Sequence, residues 1–197
     1  MDDVGSERPS KPHVVIDTCC LFPQYLRDFL LTAASLNLLA PYWSQRILDE
    51  LARNLIERYS DDLDRPRRVE RLIAQMTLAF PEALVEDSIW EPYVEQMTNH
   101  PKDRHVLAVA VGAGIPFLLT ENIRDFPQLA TQKWTMQVLH PDEFLIRLYR
   151  RYEDGVEATL VQMRERYVRH QLSRSELVER IGTKAPSFAR LLIQGAQ

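Results

Sequence analysis

His13-Val14-Val15-Ile16-Asp17 is the stretch on which the fold turns. Its middle is β-branched and its apolar positions are consecutive rather than alternating, the pattern of a short strand buried on both faces. It ends on a carboxylate. Pro116-Phe117-Leu118-Leu119-Thr120 repeats the design, a core strand running into the polar segment Glu121-Asn122-Ile123-Arg124-Asp125. Further strands are expected at 39–43, 83–85 and, at an edge, 134–139. Helical spacing of apolar residues predicts helices over 21–38, with Pro23 tolerable near its start, and over 67–79, 102–113 and 141–151. Ser44 is placed to cap a helix over 45–59 whose stripe is Ile47, Leu48, Leu51 and Leu55. Gly112 and Gly114 stop the helix after Asp103, and 88–97, with Pro92, reads as a polar helix or loop. Strands alternating with helices make an α/β protein with a mostly parallel sheet, whose functional site lies beyond the carboxyl ends of the strands.

Four acids sit at the ends of these apolar segments: Asp17, Glu50, Asp103 and Asp125. A carboxylate just past a buried strand is costly unless its charge is compensated. A hard divalent cation supplies that compensation and prefers oxygen ligands. The pattern points to a metal-dependent hydrolase.

The chain has 197 residues, enough for one α/β domain and a modest appendage. Its 45% hydrophobic and 26% charged residues are those of an ordinary globular protein. No apolar run approaches the ~20 residues of a membrane helix, and the acidic Met1-Asp2-Asp3 start lacks a signal peptide's basic and apolar regions. A cytoplasmic location is expected. Cys19 and Cys20 are adjacent; a bridge between neighbours is strained, so they read as small buried side chains at a strand end. The net charge of −4 hides an asymmetry: residues 147–197 hold 10 Lys and Arg against 6 Asp and Glu, leaving −8 on residues 1–146. A basic tail on an acidic core permits an RNA partner. The organisation expected is a leader over 1–12 with Pro9 and Pro12, a main domain over 13–150, and a helical extension over 151–197. In that extension Ser173-Arg174-Ser175-Glu176 forms a capping box and Pro186 opens a helix.

Five stretches together resemble one family. They are Val15-Ile16-Asp17-Thr18-Cys19-Cys20-Leu21, Trp43-Ser44-Gln45-Arg46-Ile47-Leu48-Asp49-Glu50-Leu51, Asp103-Arg104-His105-Val106-Leu107-Ala108-Val109-Ala110, Thr120-Glu121-Asn122-Ile123-Arg124-Asp125-Phe126-Pro127 and His140-Pro141-Asp142-Glu143-Phe144. In this order they are similar to the signature blocks of PIN domains, in particular the longer bacterial subgroup related to VapC toxins. That resemblance covers about residues 13 to 147 and the tail only loosely. It implies a PIN-like three-layer sandwich and a Mg²⁺- or Mn²⁺-dependent endoribonuclease, often the toxin of a toxin–antitoxin pair. It further implies an RNA substrate, a cognate antitoxin and a homodimer.

By position, Asp17, Glu50 and Asp103 match the family's three core acids, and the fourth block offers Asn122 and Asp125. The roles implied are direct metal binding by Asp17 and Asp103 and orientation or deprotonation of water by Glu50. Thr120, Asn122 and Asp125 would support them. Where many relatives carry asparagine two residues after the first aspartate, this chain has Cys19, so a polar contact there is expected to be missing. Taken singly, Asp17 could be a helix cap, Glu50 a solvated helix residue and Asp103 an acid favoured by a helix dipole. Their joint occurrence in family order is what favours the nuclease. His105 reads as a hydrogen-bonded structural histidine. Arg65, Arg67, Arg68 and Arg71, and in the tail Arg164, Arg166, Arg169 and Arg174, are candidate phosphate contacts that could equally be solvated faces. The alternatives to a toxin are a housekeeping PIN nuclease without antitoxin and a catalytically idle interaction module.

Overall fold

A computed structural model of the chain describes residues 10–58, 61–167 and 172–195. Most of the expected leader, the final residue of the helix expected after Ser44, and Arg169 lie outside the described residues. Five parallel strands, β1 His13–Ile16, β2 Ala40–Ser44, β3 Leu84–Val85, β4 Phe117–Leu119 and β5 Gln137–Leu139, lie side by side in the order β3-β2-β1-β4-β5. The chain therefore walks outward from β1 through β2 to β3, then returns to the other side of β1 for β4 and β5. The reversal of direction opens a crevice between β1 and β4, where parallel α/β sheets place their ligands. Register brings the acid-bearing ends there together: Ile16 pairs with Leu119, and beyond the strands Asp17 N–H donates to Leu119 O (3.0 Å) and Thr120 N–H to Leu139 O (3.1 Å). Val14, Val15, Ile16, Leu118 and Leu119 are fully buried, as expected of central parallel strands.

Helices cover the sheet. The helix expected over 21–38 is divided into α1 Thr18–Leu21 and α2 Gln24–Ser35: Phe22 is still helical, and the break falls at Pro23, which has no N–H to continue the ladder and takes an extended backbone (ψ 117°). α3 Gln45–Arg58 starts where Ser44 Oγ accepts the Ile47 N–H at 3.4 Å. α4 Arg65–Ala79 begins two residues earlier than its apolar pattern, since Pro66 falls in the first turn, where its missing N–H costs nothing. The 88–97 stretch becomes α5 Asp87–Trp90 and a 3₁₀ turn over Glu91–Gln96. α6 Arg104–Gly112 is preceded by a 3₁₀ turn over Pro101–Asp103, so Asp103 stands at the helix entrance rather than inside it. α7 Gln128–Thr131 and a turn over Gln132–Trp134 lead to Thr135, whose φ of 52° confines β5 to three residues instead of the expected six.

α8 Pro141–Arg151 follows as expected, and α9 Glu153–Arg166, α10 Arg174–Gly182 and α11 Pro186–Gln194 complete the described chain. The capping box at Ser173 and Glu176 is formed. α9 and α10 pack on α2, and α11 packs on α8. Phe188 of α11 is completely buried, edge-on to Phe29 of α2 at 5.4 Å and to Tyr149 of α8 at 6.4 Å, so one apolar core runs through both parts of the chain. Among the described residues no helix is long and apolar enough to cross a membrane.

α6 crosses the α5 segment with no room for a methyl group: a Cβ on Gly112 would lie 2.3 Å from Ile89 O. Alanine would gain about 1 kcal/mol of helix propensity, but a backbone carbonyl cannot step aside as a side chain does, and overpacking typically costs ~1–3 kcal/mol. Gly112→Ala should lower the thermal midpoint measured by circular dichroism. A midpoint at or above wild type would contradict this close approach.

Candidate functional site

Asp17 leaves β1 directly into α1 and is 4% exposed. Its Oδ2 accepts the Thr120 hydroxyl at 2.6 Å and lies 3.1 Å from Cys19 Sγ. Thr120 is fully buried, and its Oγ1 in turn accepts the Asn122 N–H at 3.0 Å. Cys19 Sγ accepts the Glu121 N–H at 3.2 Å. The thiol thus fills the place where the sequence implied a missing polar contact. A cysteine can both donate and accept weakly, which is enough to join the two strand ends. These bonds fix the Asp17 carboxylate through one oxygen; Oδ1 makes no hydrogen bond among the described residues.

Glu50 reaches the site from α3 and Asp103 from the entrance of α6. Both line, with Asp17, Glu121 and Asn122, one open cleft of about 690 Å³. His105 is 1% exposed on α6, and its Nε2 lies 3.4 Å from Glu50 Oε2; Arg46 Nε lies 3.6 Å from Oε1. The histidine, expected to be hydrogen-bonded, is buried, but among the described residues its ring nitrogens make no hydrogen bond of good geometry, so the contact with Glu50 is electrostatic. Burial pushes the Glu50 carboxyl up, yet His105 together with Arg46 and Arg53 outweighs it, and the net displacement is downward.

Asp103 behaves oppositely. Burial, followed by the Asp17 and Asp125 carboxylates, raises it, while His100 and His105 pull against the shift. Asp125 does not line the cleft with the other acids. It meets Asp103 beside His100, whose Nδ1 is 3.6 Å from Asp103 Oδ2, and one ligand atom from each of these three residues falls within 4.8 Å of the others. The donor set suits a divalent cation. It is rich in carboxylate oxygen, and like charges crowd at Asp103, which a cation would relieve. The His100-Pro101-Lys102-Asp103 spacing could have flagged His100; nothing local flagged Glu121 or Lys184, which join across the cleft wall at 2.7 Å.

The arginines divide into two kinds. On α4, Arg68 pairs with Asp62 at 3.2 Å and with Asp64 at 3.9 Å, whereas Arg67 and Arg71 make no ion pair among the described residues. Arg65 opens the same helix. In the tail, Arg174 grips Glu157 through two bonds (3.1 and 2.6 Å) and donates to Leu192 O, Arg164 donates to Leu172 O, and Arg166 donates to Thr32 Oγ1. Those three guanidinium groups hold helices together.

The chain matches the family model described as PIN domain over residues 13–124. A curated protein of Mycobacterium tuberculosis (strain ATCC 25618 / H37Rv), named "Putative ribonuclease VapC50", is 34% identical to it over 96 residues, which are 49% of this chain and 57% of that protein. The chain thus spans little more than half the length of this relative. No solved structure matches it.

The raised pKa of Asp103 means that its charged form opposes folding at neutral pH in the absence of metal. The penalty fades as pH falls through that raised value, and is gone below the unfolded value. Asp103→Asn keeps a residue suited to a helix entrance and should raise the melting temperature of the metal-free protein at pH 7. The gain should shrink as the solution is acidified. Calorimetry across pH decides it: an unchanged or lower midpoint at pH 7 would show that the carboxylates do not repel one another.

Proposed function

Because the chain belongs to the PIN domain family, we propose that it is a Mg²⁺- or Mn²⁺-dependent endoribonuclease that hydrolyses RNA phosphodiester bonds, and that it acts as the toxin of a toxin–antitoxin pair. One observation carries the reading: Asp17, Glu50 and Asp103, from three separate segments, line a single cleft beyond the strand ends. The relative's printed name, a ribonuclease, supports the same activity.

Asp17 and Asp103 would hold the cation, with Asp125 and Asn122 in support. When bound, it supplies positive charge against the negative charge that develops on the attacking and departing oxygens. Thr120 keeps the Asp17 carboxylate in one orientation, so its free oxygen is presented without a search among rotamers. Glu50 is ionised at neutral pH and held low, which makes it a poor proton acceptor. Its favoured task is therefore to orient the attacking water by accepting a hydrogen bond. His105, buried behind it, keeps that carboxylate facing the cleft. Arg67 and Arg71, without an acidic partner among the described residues, are the α4 residues suited to the RNA backbone, with Arg65 beside them. The antitoxin would cover the acidic cleft with a segment that presents a cation to it. A homodimer and a cytoplasmic location complete the proposal.

Asp17→Asn and Asp103→Asn should each reduce cleavage of cellular RNA by more than about a hundredfold, beyond the 10–100-fold typical of residues that merely support a metal ligand. Circular dichroism should report an intact fold. Brief induction of the wild-type chain should arrest growth, induction of Asp17→Asn should not, and co-expression of the neighbouring gene's product should relieve the arrest. Undiminished cleavage by both purified variants would end the assignment.

The Arg67→Ala/Arg71→Ala double variant should bind single-stranded RNA more weakly. Each lost phosphate contact reduces the slope of log affinity against log salt by about 0.7. An unchanged slope would make α4 an ordinary solvated face.

A further inference from the structure

Lys184 sits in the short connection between α10 and α11, yet it lines the same cleft as Asp17, Glu50 and Asp103. Its Nζ lies 2.7 Å from Oε2 of Glu121, 63 residues earlier in the chain, at the end of β4. Resting on the nuclease reading, we propose that Lys184 is a positioning residue for the substrate: its ammonium group, held by Glu121, binds a phosphodiester of the RNA backbone, so that the C-terminal extension completes the substrate-binding surface.

Four observations carry this. First, charge: the cleft is lined by five carboxylates (Asp17, Glu50, Glu57, Asp103, Glu121) and, among the described residues, by only two cations, Arg58 and Lys184. A polyanion entering it needs positive charge from the protein in addition to any metal. Second, capacity: an ammonium group has three N–H donors, and only one is needed for Glu121. The Lys184 side chain remains 37% exposed, so the others are open to a ligand.

Third, the mount is rigid. Lys184 N–H and Ala185 N–H both donate to Ile181 O at 3.0 Å. Ala185 is fully buried, and the Asp142 carboxylate of α8 accepts the Ser187 and Phe188 amides at 3.2 and 2.8 Å. The backbone is pinned on both sides of Lys184 and the ammonium group is held by Glu121, so less side-chain freedom is left to lose on binding. Fourth, stability does not account for the pair. A partly exposed ion pair contributes at most about 1 kcal/mol, while the other Glu121 oxygen, Oε1, is buried and has no hydrogen-bond partner among the described residues. An arrangement that leaves a carboxylate oxygen unsatisfied is poorly suited to holding the fold and well suited to aiming a cation.

The test separates binding from cleavage. In the Asp17→Asn background, which does not cleave, Lys184→Ala should weaken binding of a single-stranded oligoribonucleotide by about tenfold, the loss of one charge-assisted hydrogen bond. In the otherwise wild-type chain it should raise KM about as much with kcat nearly unchanged, and Lys184→Arg should restore most of the loss. Should the alanine variant fail to fold, Lys184→Gln, which keeps a donor for Glu121 but no charge, is read in the same way. Unchanged RNA affinity and KM would overturn the proposal and leave the nuclease reading standing. Faster cleavage by Lys184→Ala would overturn it in favour of an inhibitory latch. Absence of both cleavage and RNA binding in the wild-type chain would remove the nuclease reading and this inference with it.

Discussion

Across 2.6 Å, the Thr120 hydroxyl donates a hydrogen bond to Asp17 Oδ2 at the point where the sheet reverses its direction of growth. The arrangement of the cleft depends on holding that buried carboxylate in place. Asp17 is almost without solvent, and a charge so placed needs hydrogen bonds and nearby positive charge. One of its oxygens is satisfied by the protein, through Thr120 and the Cys19 thiol. The other is left to the cleft. Asp103 and Asp125 add to the same field, and the Asp103 pKa is raised by its burial first and by the Asp17 and Asp125 carboxylates after it.

The two carboxylates best placed for chemistry are tuned apart. Glu50 is held down by His105 and arginines, whereas Asp103 is held up by burial and its acidic neighbours. Groups in one cleft whose environments separate their acidities are the usual mark of a division of labour. On the function proposed above, a cation held by Asp17 and Asp103 would lessen the repulsion that adds to the effect of burial at Asp103, and its binding would be linked to the protonation of that residue.

The C-terminal helices are not an ornament on a finished domain. Phe188 inserts between α2 and α8, Tyr167 OH hydrogen-bonds Asp28 at a short distance, Arg174 ties α9 to α10 and α11, and Asp142 satisfies the first amides of α11. Each of these contacts joins the extension to itself or to elements that carry the sheet. The reward of that docking is a fixed lysine on the cleft wall. Arg164, Arg166 and Arg174 each make hydrogen bonds in the same docking, while Arg164 and Arg166 stay exposed.

What the chain determines by itself is whatever acts over a few residues. The consecutive apolar positions of Val14-Val15-Ile16 demand burial on both faces. Ser44 and the Ser173–Glu176 box cap helices with their own side chains, and the order of Asp17, Glu50 and Asp103 among those segments identifies the family. The boundaries missed were local too: Pro23 divides a helix, Pro66 lengthens one, and Thr135 shortens a strand, where backbone restrictions override apolar spacing. Tertiary structure alone decides that the Cys19 thiol bridges Asp17 and the Glu121 amide, that Asp125 lies beside Asp103 and His100, and that Lys184 meets Glu121. Those outcomes join residues far apart in sequence, and no periodicity or cap encodes a contact that exists only after helices have docked on a shared core.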